Sequence, residues 1–483
     1  MEVGRRGLAK RRETTLSCYG DAESSRRGHA GERLSRRSPV GVPTSMSAKS
    51  SATPPERLTI RPRGPLNGHP VVPGSKSITN RVLLLAALAA GESRLRGGLD
   101  SDDTVVMRQA LESMGIGIRT EPAGPGDLED WLVTGRGGGF KAPPNALDCG
   151  NSGTTVRFLT AALTLAEAPI VVDGNARMRE RPISDLVNAL RGLGAELTVE
   201  GQDECPPVRI EGGGLLGGAT LIDGSRSSQY VSAVLQAAPY AAQDVELGFK
   251  DSVVVSRPYI DLTIEVMEAF GARASWIAED RLRVVSGQVY QPRDYTIEPD
   301  ASSAAYPFAA AAIAGGQVTV NGVRANSLQA DFKILGLLEQ MGCGVERNRD
   351  AVTVTGPNKP LKSLGKIDMN DFPDAVLAYA VVCAFADAPT TITNIYNLRI
   401  KETDRLHALE TELRKLGVGA EAGHDWLRIE PRPMHGAEIE TYDDHRIAMS
   451  FALAGLRIPG VVILDPGCVS KTWPGYFEAF ASL

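Results

Sequence analysis

Asn397-Leu398-Arg399-Ile400-Lys401-Glu402-Thr403-Asp404-Arg405 runs into Leu406, Leu409, Leu413 and Leu416, and then into Gly417-Val418. The leucines recur at helical spacing and stop at a glycine, so the stretch predicts a loop, a helix and a C′ glycine cap. The same ending occurs at Met114-Gly115-Ile116, Leu193-Gly194-Ala195, Phe270-Gly271-Ala272 and Met341-Gly342-Cys343. Successive glycines lie 79, 77, 71 and 75 residues apart, a spacing too regular for chance. Strand-like alternation follows, as at Glu196 to Val199 and Val352 to Val354. Upstream of each helix lies a second, Ala-rich one with a polar start, and this occurs six times, near Ser77, Gly153, Ser227, Ser302, Pro373 and Asp444. The last copy ends at Phe477 to Phe480. Six units of two helices and short strands predict a pseudo-symmetric α/β architecture. The period exceeds that of solenoid repeats, so three units per globular domain is the expected arrangement.

Composition narrows the function. The chain has 483 residues, 42% of them hydrophobic, with no apolar run long enough to cross a membrane. A net charge of −6 argues against general nucleic-acid binding, so a basic site must be local. Six scattered cysteines, without CxxC or metal-ligand spacing, fit a reducing, cytoplasmic setting. His69, His424 and His435 show no ligand spacing and are expected at the surface, and no metal site is expected. Residues 1–45 carry ten Arg or Lys against five acids and no periodic apolar pattern, so residues 1–56 are expected to stand outside the fold as a disordered extension.

The opening stretch places three cations and two carboxylates within residues 399–405. Arg399 and Lys401 stand where a helix dipole disfavours cations, so an anionic ligand would explain them, although an isolated stretch also reads as a solvated turn. Lys401 and Arg405, four apart, can share a face once the helix has begun. If the polar starts of the Ala-rich helices gather, their free N–H groups form an anion-binding surface on an acidic protein. Lys76, Ser77 and Arg81, Asn151, Gly153 and Arg157, and Ser227, Ser228 and Gln229 suit such a surface, though each also reads as a plain cap. Loop cations at Arg177, Arg179, Arg181, Arg257, Arg446 and Lys471 would add bidentate grip if they converge. Gly135 to Gly139 lacks a phosphate-loop Lys and reads as an ordinary loop.

The sequence resembles the 5-enolpyruvylshikimate-3-phosphate synthase family over residues 57–483. The matching strings are Pro-Gly-Ser-Lys-Ser-Ile-Thr-Asn-Arg (73–81), Leu-Asp-Ser-Asp-Asp-Thr (99–104), Gly-Asn-Ser-Gly-Thr-Thr-Val-Arg (150–157), Arg-Glu-Arg-Pro-Ile (179–183), Ser-Ser-Gln-Tyr (227–230), Ser-Arg-Pro-Tyr (256–259), Asp-Ala-Ser-Ser-Ala (300–304), residues 397–405, Asp-Asp-His-Arg (443–446) and Lys-Thr-Trp-Pro (471–474). The resemblance implies two domains of three βαβαββ-type units, 74–298 inserted into a discontinuous 57–73 plus 299–483. It implies transfer of the enolpyruvyl group of phosphoenolpyruvate to the 5-hydroxyl of 3-phosphoshikimate, with no cofactor and a monomeric protein. By resemblance, Lys76, Ser77, Arg81, Ser227, Ser228, Gln229, Ser256, Asp374, Asn397 and Lys401 take 3-phosphoshikimate. Lys76, Asn151, Gly153, Arg181, Gln229, Arg405, Arg446 and Lys471 take phosphoenolpyruvate. Asp374 and Glu402, with Lys401, are the implied catalytic set. Ser152 and Phe158 depart from the Ala and Pro of many glyphosate-sensitive members.

The chemistry accounts for these residue types. Addition at C2 needs a proton delivered to C3 and one taken from the alcohol, hence an acid and a base at opposite ends of the reacting pair. As the acid, Glu402 needs a raised pKa, which is unusual among cations and is expected to come from burial after closure. The implied ligand residues are divided between the two halves, so closure on binding is expected. The sister transferase acting on UDP-N-acetylglucosamine uses a loop cysteine for which no counterpart is evident. A non-catalytic anion binder would need neither Glu402 nor Asp374.

Overall fold

The computed structural model describes residues 55–122, 129–324 and 326–483. The extension expected at 1–56 therefore lies, up to residue 54, outside the described residues. Among them are twelve α-helices: α1 (Lys76–Leu88), α2 (Asp102–Ser113), α3 (Gly153–Ala162), α4 (Ser184–Gly192), α5 (Ser228–Ala237), α6 (Arg257–Ala269), α7 (Ala301–Ala314), α8 (Ile334–Gln340), α9 (Val376–Cys383), α10 (Arg405–Lys415), α11 (His445–Ala454) and α12 (Tyr476–Ala481). The odd-numbered helices are the Ala-rich ones with polar starts, and each begins within three residues of the expected position.

All five signature glycines have φ between 85° and 106°, a region open to residues without a Cβ. Around each, the glycine N–H bonds back three residues and the next N–H bonds back five, as in Gly417 N to Arg414 O and Val418 N to Leu413 O (both 3.0 Å). This is the Schellman arrangement, and it satisfies carbonyls that the helix end leaves open. In α10, Leu406, Leu409 and Leu413 are fully buried. At about 1.5–3 kcal/mol each, their burial outweighs the roughly 0.3–1 kcal/mol that a misplaced N-terminal cation costs.

Each unit forms a small sheet of one pattern. Leu147–Asp148 runs parallel to Ile170–Asp173, which is antiparallel to Val208–Ile210, itself antiparallel to Leu197–Val199. Five four-stranded sheets share this order of parallel, antiparallel, antiparallel, and a sixth sheet has three strands. Three strands come from outside their unit. Asp294–Thr296 completes the sheet of Glu92–Gly98, Leu66–Gly68 that of Gly316–Asn321, and Arg57–Thr59 that of Val462–Leu464.

The buried hydrophobic residues fall into two cores. One runs from Ile78 to Ile297; the other joins Leu58, Ile60, Leu66 and Val72 to residues 304–480. The chain passes between them twice, side by side: Ser75 N bonds to Glu298 O (2.7 Å) and Asp300 N to Pro73 O (2.8 Å). In the first core α3 packs against α1 and α5; in the second α7, α9 and α11 pack together. The starts of these helices face one another across a cleft.

Candidate active site

Local capping prepares the first wall of the cleft. Ser75 caps α1 by accepting from Ile78 N, and Ser227 caps α5 by accepting from Gln229 N. Asp300 caps α7 through Ser303 N (2.7 Å) and also accepts from Lys76 N (3.1 Å), so one carboxylate ties two helix starts from opposite halves. Between the walls lies a pocket lined by Lys76, Ser77, Arg81, Ser227, Ser228, Gln229, Ser256, Asp374, Asn397 and Lys401. These ten come from five separate stretches, and they are the residues expected around 3-phosphoshikimate. Thr154, Arg226, Tyr259 and Pro373 complete the lining.

Arg81 is buried and spends its guanidinium on neutral acceptors: Thr263 Oγ1 (2.7 Å), Ser77 O (2.9 Å), Ser232 Oγ (3.1 Å) and Tyr259 O (3.2 Å). Burial lowers its pKa to about 10, which leaves it charged at neutral pH. Its guanidinium lies 5.2 Å from the Phe158 ring centroid, so one departure residue supports a site cation. The other, Ser152, is buried at the start of α3 and bonds Thr155 Oγ1 (2.8 Å).

Beside the pocket stand the residues expected around phosphoenolpyruvate. Arg181 donates to Asn151 Oδ1 (3.3 Å), and Lys471 crosses the cleft to Asn151 O (3.0 Å). A Cβ on Gly153 would lie 2.7 Å from Arg181 Nη2, so the guanidinium rests on the bare start of α3. Burial, then the neighbouring Arg157, brings the Arg181 pKa down to about 10.

The opposite wall is a lattice of charge. Arg405, 1% exposed, donates to Asp444 Oδ2 (2.7 Å) and Oδ1 (3.2 Å) and to Asp374 Oδ1 (3.3 Å), and its Nη2 lies 2.9 Å from Glu402 Oε2. Arg446 donates to Asp374 Oδ2 (2.9 Å), and Lys401 Nζ lies 3.6 Å from Asp374 Oδ1. Burial alone would raise the Asp374 carboxyl, but Arg446, Lys401 and Arg405 hold it well below the usual carboxylate range. Glu402 behaves likewise. Burial pushes it up, and Arg405, Arg181, Lys471 and His445 together pull it well below its ordinary value. With a guanidinium at 2.9 Å, Coulomb attraction wins over desolvation in this arrangement, so burial alone does not give Glu402 the raised pKa expected after closure. Glu402 Oε2 and Asn397 Oδ1 are nonetheless buried with no donor aligned on them, which leaves both open to a ligand.

Other expectations resolve differently. Lys401 and Arg405 do not share a helical face, since α10 begins only at Arg405; they meet on Asp374 instead. Arg399 is structural, bonding Asp404 (2.7 Å) and the carbonyls of Gly423 (2.5 Å) and His424 (3.0 Å). Arg179 pairs with Asp173, and Arg257 stacks on Trp276, so neither converges on the site. Arg177 holds the carbonyls of Lys401 (3.0 Å) and Glu402 (3.1 Å) from across the cleft. Sequence reasoning gave no role to Asp103, a buried carboxylate that takes Lys471 (2.8 Å) and Lys76 (3.2 Å). Its only local signal was an acid in the first turn of α2, where a dipole reading absorbs it. His69, His424 and His435 are exposed, and among the described residues no cluster of His, Cys, Asp and Glu could hold a metal.

Comparison with known proteins puts this geometry in company. A family described as EPSP synthase (3-phosphoshikimate 1-carboxyvinyltransferase) matches residues 60–480. A 3-phosphoshikimate 1-carboxyvinyltransferase of Methanoculleus marisnigri is 45% identical, covering 87% of this chain and 98% of its own. One from Yersinia ruckeri is 46% identical over 89% and 99%. The solved EPSP synthase of Acinetobacter baumannii superposes with a TM-score of 0.74 at 29% identity, over 88% of this chain and 97% of that one.

Proposed function

The chain belongs to the EPSP synthase family, and from that premise we propose which of its residues carry the reaction. The reaction is transfer of the enolpyruvyl group of phosphoenolpyruvate to the 5-hydroxyl of 3-phosphoshikimate, with release of phosphate. 3-Phosphoshikimate occupies the pocket between Arg81, Ser227, Ser228 and Gln229 on one wall and Asp374, Asn397 and Lys401 on the other. Phosphoenolpyruvate lies beside it against Lys76, Asn151, Gly153, Arg181, Gln229, Arg405, Arg446 and Lys471.

The observation that carries this reading is the Arg405 guanidinium, which holds Asp374 at 3.3 Å and Glu402 at 2.9 Å on one buried group. Two carboxylates so placed can face the two ends of one addition. Asp374 takes the proton of the 5-hydroxyl as its oxygen bonds to C2, and Glu402 gives a proton to C3. Glu402, now a carboxylate, takes a proton back from C3 as the C2–O bond to phosphate breaks, with Lys76, Lys471 and the arginines offsetting the charge of the departing phosphate. Glu402 must be protonated to act. The carboxylate and phosphate of phosphoenolpyruvate draw Arg405, Arg181 and Lys471 onto themselves, so the raising effect of burial comes to dominate.

The halves 57–73 plus 299–483 and 74–298 act as two domains that close on the substrates. The protein works as a cytoplasmic monomer; no described helix is long and apolar enough to span a membrane, and the five described cysteines are buried and unpaired. Mixing the protein with phosphoenolpyruvate and 3-phosphoshikimate should release phosphate. UDP-N-acetylglucosamine as acceptor should release none, and the reverse result would assign the chain to the sister reaction.

A further inference from the structure

Tyr259 is the one hydrophobic residue from 74–298, among the described residues, that packs against the hydrophobic core of the other half. It stands in the first turn of α6, lines the substrate pocket, and its main-chain carbonyl accepts from Arg81 Nη2 (3.2 Å). Its phenol crosses the cleft and donates to Asp331 Oδ2 in a short hydrogen bond. Asp331, 2% exposed, also accepts from Ser302 Oγ (2.8 Å) and, through Oδ1, from Ala375 N (3.0 Å). Ala375 follows Asp374 in the turn Pro373–Ala375, so the Asp331 carboxylate grips that turn from behind. Among the described residues no cation pairs with Asp331. Burial and the neighbouring Asp374 carboxylate push its pKa up to about 6, as fits a group held by neutral donors.

A buried carboxylate held by neutral donors is a costly way to brace a turn, since an apolar residue packed there would incur no desolvation. Its oxygens do something an apolar residue cannot. They join a donor from one half to the backbone of the base on the other. We propose that Asp331 is a positioning residue, which aims the Asp374 carboxylate through the Ala375 N–H and does so only while the Tyr259 phenol is seated from across the cleft. Substrate binding enters the same chain at its other end, because an anion that engages Arg81 acts on the guanidinium that holds the Tyr259 carbonyl. The base is therefore aligned when the first substrate is bound and the walls have met.

This rests on Asp374 being the base, and the test separates the two. Tyr259→Phe is measured in the wild-type and Asp374→Asn backgrounds, with kcat and both KM values. In the wild type it should lower kcat about tenfold, the scale of a sub-ångström misplacement, with each KM within about twofold. In Asp374→Asn it should cost less than about twofold more, because the group it aims is already lost. Asp331→Asn puts an amide donor where Tyr259 and Ser302 donate and breaks the same link, so Tyr259→Phe/Asp331→Asn should lose no more kcat than the worse single variant. Equal losses in both backgrounds, or unchanged kcat in Tyr259→Phe, would overturn the proposal. If Asp374→Asn alone kept kcat near wild type, the base assignment would fall first and the proposal with it. Tyr259→Phe removes a single hydroxyl, so it carries the test even if Asp331→Asn fails to fold.

Discussion

The two walls of the cleft hold their buried arginines in opposite ways. On the 74–298 wall, Arg81 bonds hydroxyls and carbonyls, Arg157 bonds Gln229, and Arg181 bonds Asn151. On the 299–483 wall, Arg405 and Arg446 are fastened to Asp374, Asp444 and Glu402. A cation on neutral partners keeps its attraction for an incoming anion, whereas one in a charge lattice must exchange one carboxylate for another. The first wall is built to bind. The second is built to change its protonation and partners when something binds, which is the behaviour a reaction needs.

Breaking the second wall should therefore show in kcat. Glu402→Gln keeps the size and loses the exchangeable proton, so kcat should fall about 100-fold or more, with modest change in KM. Asp374→Asn should match it in kcat and also raise KM for 3-phosphoshikimate. Steady-state kinetics with each substrate varied would check both, and an unchanged kcat for Glu402→Gln would make that residue a brace for Arg405.

Breaking the first wall should show in KM. Arg81→Ala removes a charged donor worth about 1.5–3 kcal/mol, so KM for 3-phosphoshikimate should rise by roughly 10- to 100-fold, with kcat less affected. Arg405→Ala, on the other wall, should lower kcat, because Asp374 and Glu402 lose their shared cation, and of the two KM values it should raise that for phosphoenolpyruvate more. Crossed results would reverse the assignment of the walls. Gly153→Ala places a methyl 2.7 Å from Arg181 Nη2, and displacement of that guanidinium should raise KM for phosphoenolpyruvate about tenfold. Phe158→Leu removes the ring beneath Arg81, and at about 0.5–1 kcal/mol it should raise KM for 3-phosphoshikimate roughly two- to fivefold.

A smaller effect sharpens the contrast through pH. The folded-state pKa of Glu402 is depressed, so its ionisation stabilises the fold above its unfolded value of about 4.3 and stops doing so as pH falls through the folded value. Substrate-free wild type should melt about one degree above Glu402→Gln at pH 7, on the scale of about 1 kcal/mol. The gap should narrow as the pH is taken below about 4. Thermal unfolding against pH would check this, and a gap that widens in acid would contradict the ion-pair account.

Much of this arrangement was legible locally. The five Schellman glycines and the polar helix starts are signals within a few residues, because capping is a short-range need. Strand partners were not legible. Asp294–Thr296 pairs with residues 200 positions earlier, and nothing in a three-residue strand names its neighbour. The same division holds at the site. Lys76 and Arg446 stand at helix starts, and Arg81 in the turn after one, where a local reading finds them, whereas Asp103 and Asp331 matter because of what reaches them from across the cleft. Arg399 misled for the converse reason: its acceptors are mainly backbone carbonyls, which leave no mark in a sequence.

The borrowed strands bear on how the chain is made. Leu66–Gly68 leaves the ribosome early, but its partner Gly316–Asn321 follows roughly 250 residues later, and Arg57–Thr59 waits longer still for Val462–Leu464. At about 5–20 residues per second, these leading segments stay unpaired for roughly 12 to 50 seconds or more, while the whole of 74–298 emerges and can collapse on its own core. For that interval they are exposed edges in search of a ladder. Both segments are only three residues long, and the stretch between them contains Pro62 and Pro65, which cannot donate to a foreign strand. Shortness and proline thus guard the nascent chain until the second half arrives to claim them.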